Sequence, residues 1–282
     1  MAMKADELKQ KGNVCFQAGD FSGAEKFYTQ AIIRDSTNAA FFTNRALARL
    51  KMEMFEDVIN DCLKAIELSP SNMKAYSYLG QAQLALNHPS EALHSSMTAY
   101  ELAITQRSPS VASIAAACLD AKKKRWEQRE EKRRERECQL MLKMTDIIER
   151  DADRAVDELL KKGRMNNGNI NISEQEEEIR HEAKERVRTL EDVFGKAEAV
   201  RCARREVPDY LIDNITFSIM LDPVITKNGH SYDRATLLDH LRRSQTDPLT
   251  REPLSEKDLI PNYALKAASD LFLKENGWAV DW

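Results

Sequence analysis

The chain has 282 residues, 31% of them charged and only 7% aromatic, with a formal net charge of −4. That length suits two or three domains, and the near-balanced charge gives no global electrostatic reason to expect nucleic acid as a partner. No run approaches the roughly 18 to 20 consecutive apolar residues of a membrane span, and Met1-Ala2-Met3-Lys4 leads directly into patterned sequence, so no signal peptide is expected.

Gly12, Ala46 and Gly80 recur at intervals of 34, as do Ala24, Val58 and Ala92, and Ala31, Ala65 and Ala99. A small residue early and alanines later at that period mark the helix-turn-helix of a tetratricopeptide repeat, because the paired helices cross too closely there for a larger side chain. The repeats are expected at about 5–38, 39–72 and 73–106, with Pro70 closing the second. Three such units are enough to bury a continuous core and form a concave groove lined by the first helix of each pair. Ser108-Pro109-Ser110 interrupts the pattern, and a helix from near Val111 is expected to cap the solenoid, completing a first domain at 5–121.

Residues 122–205 read as a charged helical hairpin. Lys122–Glu137 holds nine basic and five acidic residues, and interleaving such as Glu130 with Arg134 points to a solvated, salt-bridged helix rather than a nucleic-acid patch. Leu140, Met144, Ile147, Ile148, Ala155 and Leu159 keep three-or-four spacing. Gly163–Asn171 is a loop by composition, and a second helix is expected from about Ser173, which makes a capping box with Glu176. Ile179, Ala183, Val187, Leu190, Phe194 and Ala197 form its apolar stripe. Each helix carries more apolar residues than one partner helix covers, so this section is expected to be a spacer and a dimerisation element.

The texture changes at 206–282, where Pro208, Pro223, Pro248, Pro253 and Pro261 punctuate short segments. Val224-Ile225-Thr226 and His230-Ser231-Tyr232 flank Lys227-Asn228-Gly229, which predicts a hairpin on an Asn-Gly turn. Helices are expected at about Asp233–Arg243 and Tyr263–Asn276. The five cysteines, Cys15, Cys62, Cys118, Cys138 and Cys202, are scattered, and none falls in this module. They read as reduced thiols of a cytosolic protein, with Cys15 and Cys62 at core positions, and neither a zinc site nor another cofactor is expected. The fold class is therefore mainly α, a solenoid and an antiparallel helical hairpin followed by a small α+β module.

Lys9 and Asn13 share a face of the first helix, Asn44 lies on the first helix of repeat two, and Lys74 on that of repeat three. Two ammonium groups and two amides at matched positions suit an extended peptide ending in a carboxylate. With Thr43-Asn44-Arg45-Ala46, the set resembles the two-carboxylate clamp of tetratricopeptide co-chaperones, which grips the acidic carboxy-terminal tail of cytosolic heat-shock chaperones of the seventy- and ninety-kilodalton classes. Tyr78 stands at a fifth clamp position often held by arginine, and Ser113 at one expected to be acidic.

Val207-Pro-Asp-Tyr-Leu, Ile215-Thr-Phe217, Met220-Leu-Asp-Pro223, Ser231-Tyr-Asp-Arg234, Asp247-Pro-Leu-Thr-Arg251 and Leu259-Ile-Pro-Asn262 resemble a U-box, the zinc-free relative of the RING finger. The resemblance implies a surface without a nucleophile that docks a ubiquitin-charged conjugating enzyme. Ile215, Phe217 and Pro248 would form its apolar groove, with Ile219 and Leu249 as further candidates, and Arg251 would bridge conjugating enzyme and ubiquitin. Tyr232, Asp233 and Asn262 are expected to staple the module internally.

The two modules in this order, with Ala121-Lys-Lys-Lys-Arg-Trp126 and Glu275-Asn-Gly-Trp278, resemble the chaperone-interacting U-box ubiquitin ligases. That resemblance implies a cytoplasmic homodimer, present also in the nucleus, which transfers ubiquitin from a conjugating enzyme to lysines of chaperone-bound misfolded clients. The rival reading is a non-catalytic dimeric co-chaperone adaptor, marked by loss of the apolar groove or of Arg251; neither is lost.

Overall fold

The computed structural model describes residues 4–165, 172–202 and 206–282. Three helix pairs open the chain: α1 (Ala5–Gln17) with α2 (Phe21–Arg34), α3 (Ala39–Lys51) with α4 (Phe55–Leu68), and α5 (Met73–Ala85) with α6 (Pro89–Thr105). The 34-residue period extends to the backbone. Gly19, Glu53 and Asn87, spaced at that interval, all take left-handed φ values of 81°, 60° and 62° in the turn inside each pair. Asn38 and Asn72 then cap the first helices of the second and third pairs through their side-chain oxygens.

Close crossing explains the small residues. A Cβ on Gly12 would lie 2.5 Å from the Tyr28 ring, and one on Gly80 would lie 2.5 Å from Ser96 Oγ and 3.2 Å from the Ala92 carbonyl oxygen. In the middle repeat the corresponding pair is Ala46 and Cys62, both fully buried with Val58. A polar network stitches the first two repeats. Asp61, 3% exposed, accepts from Arg45 at 2.6 and 2.9 Å and from Arg49 at 3.0 Å, and Arg49 also pairs with Glu25 at 2.8 Å.

Helix α7 (Val111–Met165) starts where the capping helix is expected and buries Val111, Ile114, Ala115 and Cys118 against Ala99, Tyr100 and Ala103. It runs on without a break for 55 residues, so capping helix and first hairpin helix are one element. Gly163, Arg164 and Met165, expected in the loop, are helical, and the rest of that loop lies outside the described residues.

The chain divides into two compact units, residues 1–127 with 207–282, and residues 128–206. The second contains the remainder of α7 and α8 (Ile172–Cys202), paired antiparallel through Arg134 with Glu198 at 3.2 Å, Arg201 with Glu137 at 2.9 Å and Arg180 with Asp153 at 3.5 Å. Ser173 is already inside α8, so it is not the cap of a capping box; helix ends shift by a residue or two when a preceding residue reaches helical geometry. The α7 stripe is rotated from expectation: Ile148, Ala155, Leu159 and the buried Val156 turn inward, while Leu140, Met144 and Ile147 are exposed. The apolar band is wider than one helix covers.

In the first unit the carboxy-terminal module carries a three-stranded antiparallel sheet of order β2-β1-β3, with β1 Pro223–Ile225, β2 Ser231–Asp233 and β3 Ile260–Pro261. Helices α9 (Arg234–Arg243) and α10 (Tyr263–Glu275) pack with it. Val224, Tyr232, Leu237, Leu241 and Leu254 form one core, and Val207, Leu211, Ile219, Leu273 and Ala279 another. This module is docked on the solenoid rather than separate from it. Leu221 and Ala235 join the cluster under α6 and α7, Tyr100 donates to Asp222 at 3.3 Å, and Arg242 donates to the Ser108 carbonyl at 2.6 Å. The Trp126 indole donates to the Glu275 carbonyl at 2.8 Å, while Lys122 and Lys123 pair with Asp270 and Asp281. Part of the basic run is therefore a seam and not a solvated face.

Removing Asp61 would take from the half-buried Arg45 and Arg49 the carboxylate they share, leaving Arg45 with Thr29 and Arg49 with Glu25. Asp61→Ala should lower stability by about 2 kcal/mol, read as a lower midpoint in urea unfolding followed by circular dichroism; an unchanged midpoint would show that the network is structurally idle.

Candidate functional site

The groove is built by the first helices. Asn13 on α1 takes two hydrogen bonds on Oδ1, from Tyr28 Oη at 2.8 Å and from Asn44 Nδ2 on α3 at 3.4 Å. With its oxygen occupied, the Asn13 amide nitrogen is left as the donor toward a ligand. Lys9, one turn earlier, sits 5.9 Å from the centroid of the Phe41 ring and 3.4 Å from Asp6, which is 74% exposed and screened by water. Lys9, Asn13 and Asn44 are thus brought together on adjoining helices, while Lys74 stands exposed in the first turn of α5.

Tyr78, one turn beyond Lys74, is half-buried and packs its ring against the Ala46–Cys62 cluster, and that burial pushes its phenol above the ordinary range. Ser113 is exposed and donates to the Ser110 carbonyl within its own turn. A cleft of about 190 Å³ opens beside the asparagines, lined also by Phe16, Gln17, Tyr28 and Leu47. Phe16 and Leu47 are absent from the sequence-based set, although each lies three residues after one of the two asparagines and so on its helix face.

The second site is a pair of matching loops. Asp213 and Asp247 each donate their backbone N–H to a residue five positions on, Ser218 at 2.8 Å and Glu252 at 2.8 Å. Each also accepts on its carbonyl from the residue four positions on, Phe217 and Arg251, both at 2.9 Å. Those two residues share a left-handed backbone, φ 57° and 60°. For side chains other than glycine that conformation costs about 1 kcal/mol or more. The aspartate side chains hold it. Asp213 Oδ2 accepts from the Thr216 N–H and hydroxyl at 3.1 and 2.8 Å. Asp247 Oδ1 accepts from the Leu249 and Thr250 N–H groups at 2.9 and 3.2 Å.

Both loops are tied to one hairpin. The Asp233 N–H donates to Asp213 Oδ1 at 3.0 Å, and Tyr232 Oη and Thr226 Oγ1 donate to Asp247 at 2.8 and 3.2 Å. Tyr232, Asp233 and Asn262 are internal staples, the last capping α10 through the Leu265 N–H at 3.1 Å. His240 bonds the Thr246 carbonyl at 2.9 Å.

The loops present Phe217, 72% exposed, Leu249, 54% exposed, and the exposed Arg251, with Ile215 and Pro248 half-buried behind them. Ile219 is different. It is 3% exposed in the core with Val207, Leu211 and Leu273, because its pairing with Ile212 turns the side chain inward, so it is not available to a partner.

A solenoid with 34-residue helix pairs, joined to a module whose presented loops are pinned by buried aspartates, defines a tetratricopeptide and U-box protein. A family model for the U-box domain matches residues 207–278. Another, described as the CHIP N-terminal tetratricopeptide repeat domain, matches residues 121–204, which here comprise the greater part of α7 and α8 rather than the six repeat helices. E3 ubiquitin-protein ligase CHIP of Arabidopsis thaliana is 33% identical over 277 residues, 98% of this chain and 95% of that protein. Hsp70-Hsp90 organizing protein of Triticum aestivum is 36% identical over 119 residues, 42% of this chain and 20% of that protein. Among solved structures, the TPR2B-domain:pHsp70-complex of yeast Sti1 has 33% identity and a TM-score of 0.41, covering 43% of this chain and 97% of that one. The chain belongs to the CHIP family of E3 ubiquitin-protein ligases, and its activity is that of a ubiquitin-protein transferase.

Two buried carboxyls of the U-box are shifted in opposite directions. Burial raises Asp233 from 3.8 to about 6 against the opposing hydrogen bonds from the Asp222 and Leu221 N–H groups. Burial also raises Asp247, but Tyr232, Leu249, Thr250 and Thr226 together outweigh it and hold that carboxyl below its ordinary value. For Asp233, ionisation is harder in the fold than in the unfolded chain, so stability falls as pH rises from 3.8 to about 6 and is level above that. For Asp247 the stabilisation is present above the ordinary value and is lost as pH falls through the depressed one. A carboxyl-carbon NMR titration should find Asp233 titrating near 6 and Asp247 titrating at a lower pH than an ordinary aspartate; the reverse order would refute the assignment.

Proposed function

We propose that the groove takes the acidic carboxy-terminal tail of cytosolic heat-shock chaperones of the seventy- and ninety-kilodalton classes. Lys9 and Lys74 supply the cationic ends, Asn13 and Asn44 donate to terminal carboxylate and backbone oxygens, and Tyr78 borders the site. The observation that carries this reading is the Asn13–Asn44 bridge, which orients an amide donor beside Lys9. The likeness to a protein named Hsp70-Hsp90 organizing protein supports it.

The U-box engages a ubiquitin-charged conjugating enzyme through Phe217, Leu249, Pro248 and Ile215. Arg251 donates from its planar guanidinium to carbonyls of both enzyme and ubiquitin, which restricts the ubiquitin tail. The amine of a client lysine attacks the thioester carbonyl, an amide bond forms, and the conjugating-enzyme cysteine leaves as thiolate. No bond forms to this chain. Clients are misfolded proteins held by the bound chaperone, and the protein works in the cytoplasm and the nucleus.

It works as a homodimer. Support comes from the exposed Leu140, Met144 and Ile147, which share one face of α7 at three-or-four spacing and form an apolar stripe of the kind that monomers rarely leave open. Leu140→Asp with Ile147→Asp should halve the mass seen by sedimentation equilibrium; an unchanged mass removes this face of the hairpin from the interface.

The transfer reading is tested with activating enzyme, conjugating enzyme, ubiquitin and a chaperone substrate. Lys9→Ala should reduce chaperone modification at least tenfold while autoubiquitination persists. Phe217→Ala should abolish both while chaperone-tail binding persists. Retained tail affinity in Lys9→Ala removes the clamp, and retained transfer in Phe217→Ala removes the docking face.

A further inference from the structure

Arg251 is followed directly by a carboxylate, Glu252, yet among the described residues Arg251 has no ion pair. A guanidinium that must reach two partners at once is hindered by an intramolecular counter-ion at its own base. The Glu252 carboxylate is instead engaged by Asn228, whose Nδ2 lies 2.9 Å from Glu252 Oε2. The same nitrogen donates to Thr250 Oγ1 at 3.0 Å, so one amide holds the residues on both sides of Arg251. Asn228 sits at the tip of the β1–β2 hairpin, where Gly229 takes φ 83° and donates to the Thr226 carbonyl at 2.9 Å. That hairpin also grips the base of the Arg251 loop, through Thr226 and Tyr232 on Asp247.

We infer that Asn228 is a positioning residue for ubiquitin transfer: its amide sequesters the Glu252 carboxylate and braces Thr250, which keeps the Arg251 guanidinium free and aimed outward. The inference rests on the role given above to Arg251. The pieces are spatially ordered for it. Arg251 is strained into the left-handed region, so its direction depends on what fixes its neighbours. Thr250 and Glu252 are those neighbours, and Asn228 bonds both. Because the amide and the carboxylate are exposed, the competing Glu252–Arg251 pair is weak in water. The effect on transfer is accordingly a few-fold and falls on turnover rather than on docking, since Phe217 and Leu249 do not depend on this amide.

The experiment is steady-state discharge of a ubiquitin-charged conjugating enzyme onto free lysine by the full-length protein. It compares wild type, Arg251→Ala, Asn228→Ala, Glu252→Ala and the Asn228→Ala/Glu252→Ala pair, using a conjugating enzyme that the wild type discharges. Asn228→Ala should lower kcat about three- to fivefold, with KM for the charged enzyme within about twofold and an unchanged thermal melt. Removing the freed carboxylate in the double variant should recover the greater part of kcat, the remainder reflecting the lost Thr250 brace, a rescue that loss of a merely structural contact would not give. Wild-type kcat in Asn228→Ala, or a defect that Glu252→Ala does not relieve, overturns the inference while leaving Arg251 in place. Wild-type discharge by Arg251→Ala overturns the reading of Arg251 itself.

Discussion

How closely two helices can approach sets the geometry of the solenoid and, through it, the peptide groove. At each crossing one side is reduced to glycine or alanine: Gly12 beneath Tyr28, Ala46 beside Cys62, Gly80 against Ser96. These contacts hold each first helix against its second, and a left-handed residue at Gly19, Glu53 or Asn87 repeats the same reversal in every pair. The first helices then stand side by side at a constant interval. Asn13 reaches Asn44 only because of that, and the Tyr28 hydroxyl that fixes the Asn13 amide belongs to the ring Gly12 admits. Fold and site share these atoms.

The U-box reaches comparable order by another route. Asp213, Asp233 and Asp247 are buried, and each is surrounded by N–H and O–H donors rather than by cations. Burying a charge is costly unless it is hydrogen-bonded several times over. Around Asp213 and Asp247 the donors belong to the hairpin and to the presented loops, so satisfying the carboxylate and shaping the loop are one event. That is why Phe217 and Arg251 can occupy strained backbone and still be held outward. The opposite displacements of the Asp233 and Asp247 carboxyls reflect the same competition between burial and donors, decided differently at the two sites.

The seam between solenoid and U-box joins these two constructions within one compact unit. Asp222 is its node, accepting from Tyr100 of α6 and from Arg234 and Lys266 of the U-box. Two stretches that stand out in the sequence, Lys122–Trp126 and Glu275–Trp278, meet there through the Trp126 indole and the Glu275 carbonyl. The groove and the docking face are therefore carried on connected framework, although neither contributes a residue to the other.

From the sequence alone, the helix pairs, their limits and the Asn-Gly hairpin could be read, and the residues proposed for both sites could be named. Each of those features rests on local rules: a repeat period, a turn that needs left-handed residues, polar side chains at matched repeat positions. Ile219 could not be assigned, because whether an apolar residue beside a loop faces a partner or the core depends on its pairing with Ile212. Nor could the rotation of the α7 stripe, since an apolar band wider than its partner does not say which edge is covered. Phe16 and Leu47 joined the asparagines only when the cleft existed. The Arg45–Asp61–Arg49 network, the lysines paired across the seam and the Asn228 brace join residues far apart in the chain, and no local pattern encodes such meetings. Sequence determined which elements form and what chemistry they carry, because propensity and period act over a few residues. Tertiary structure alone decided which side chains are buried, paired or presented, because those are properties of the space between elements.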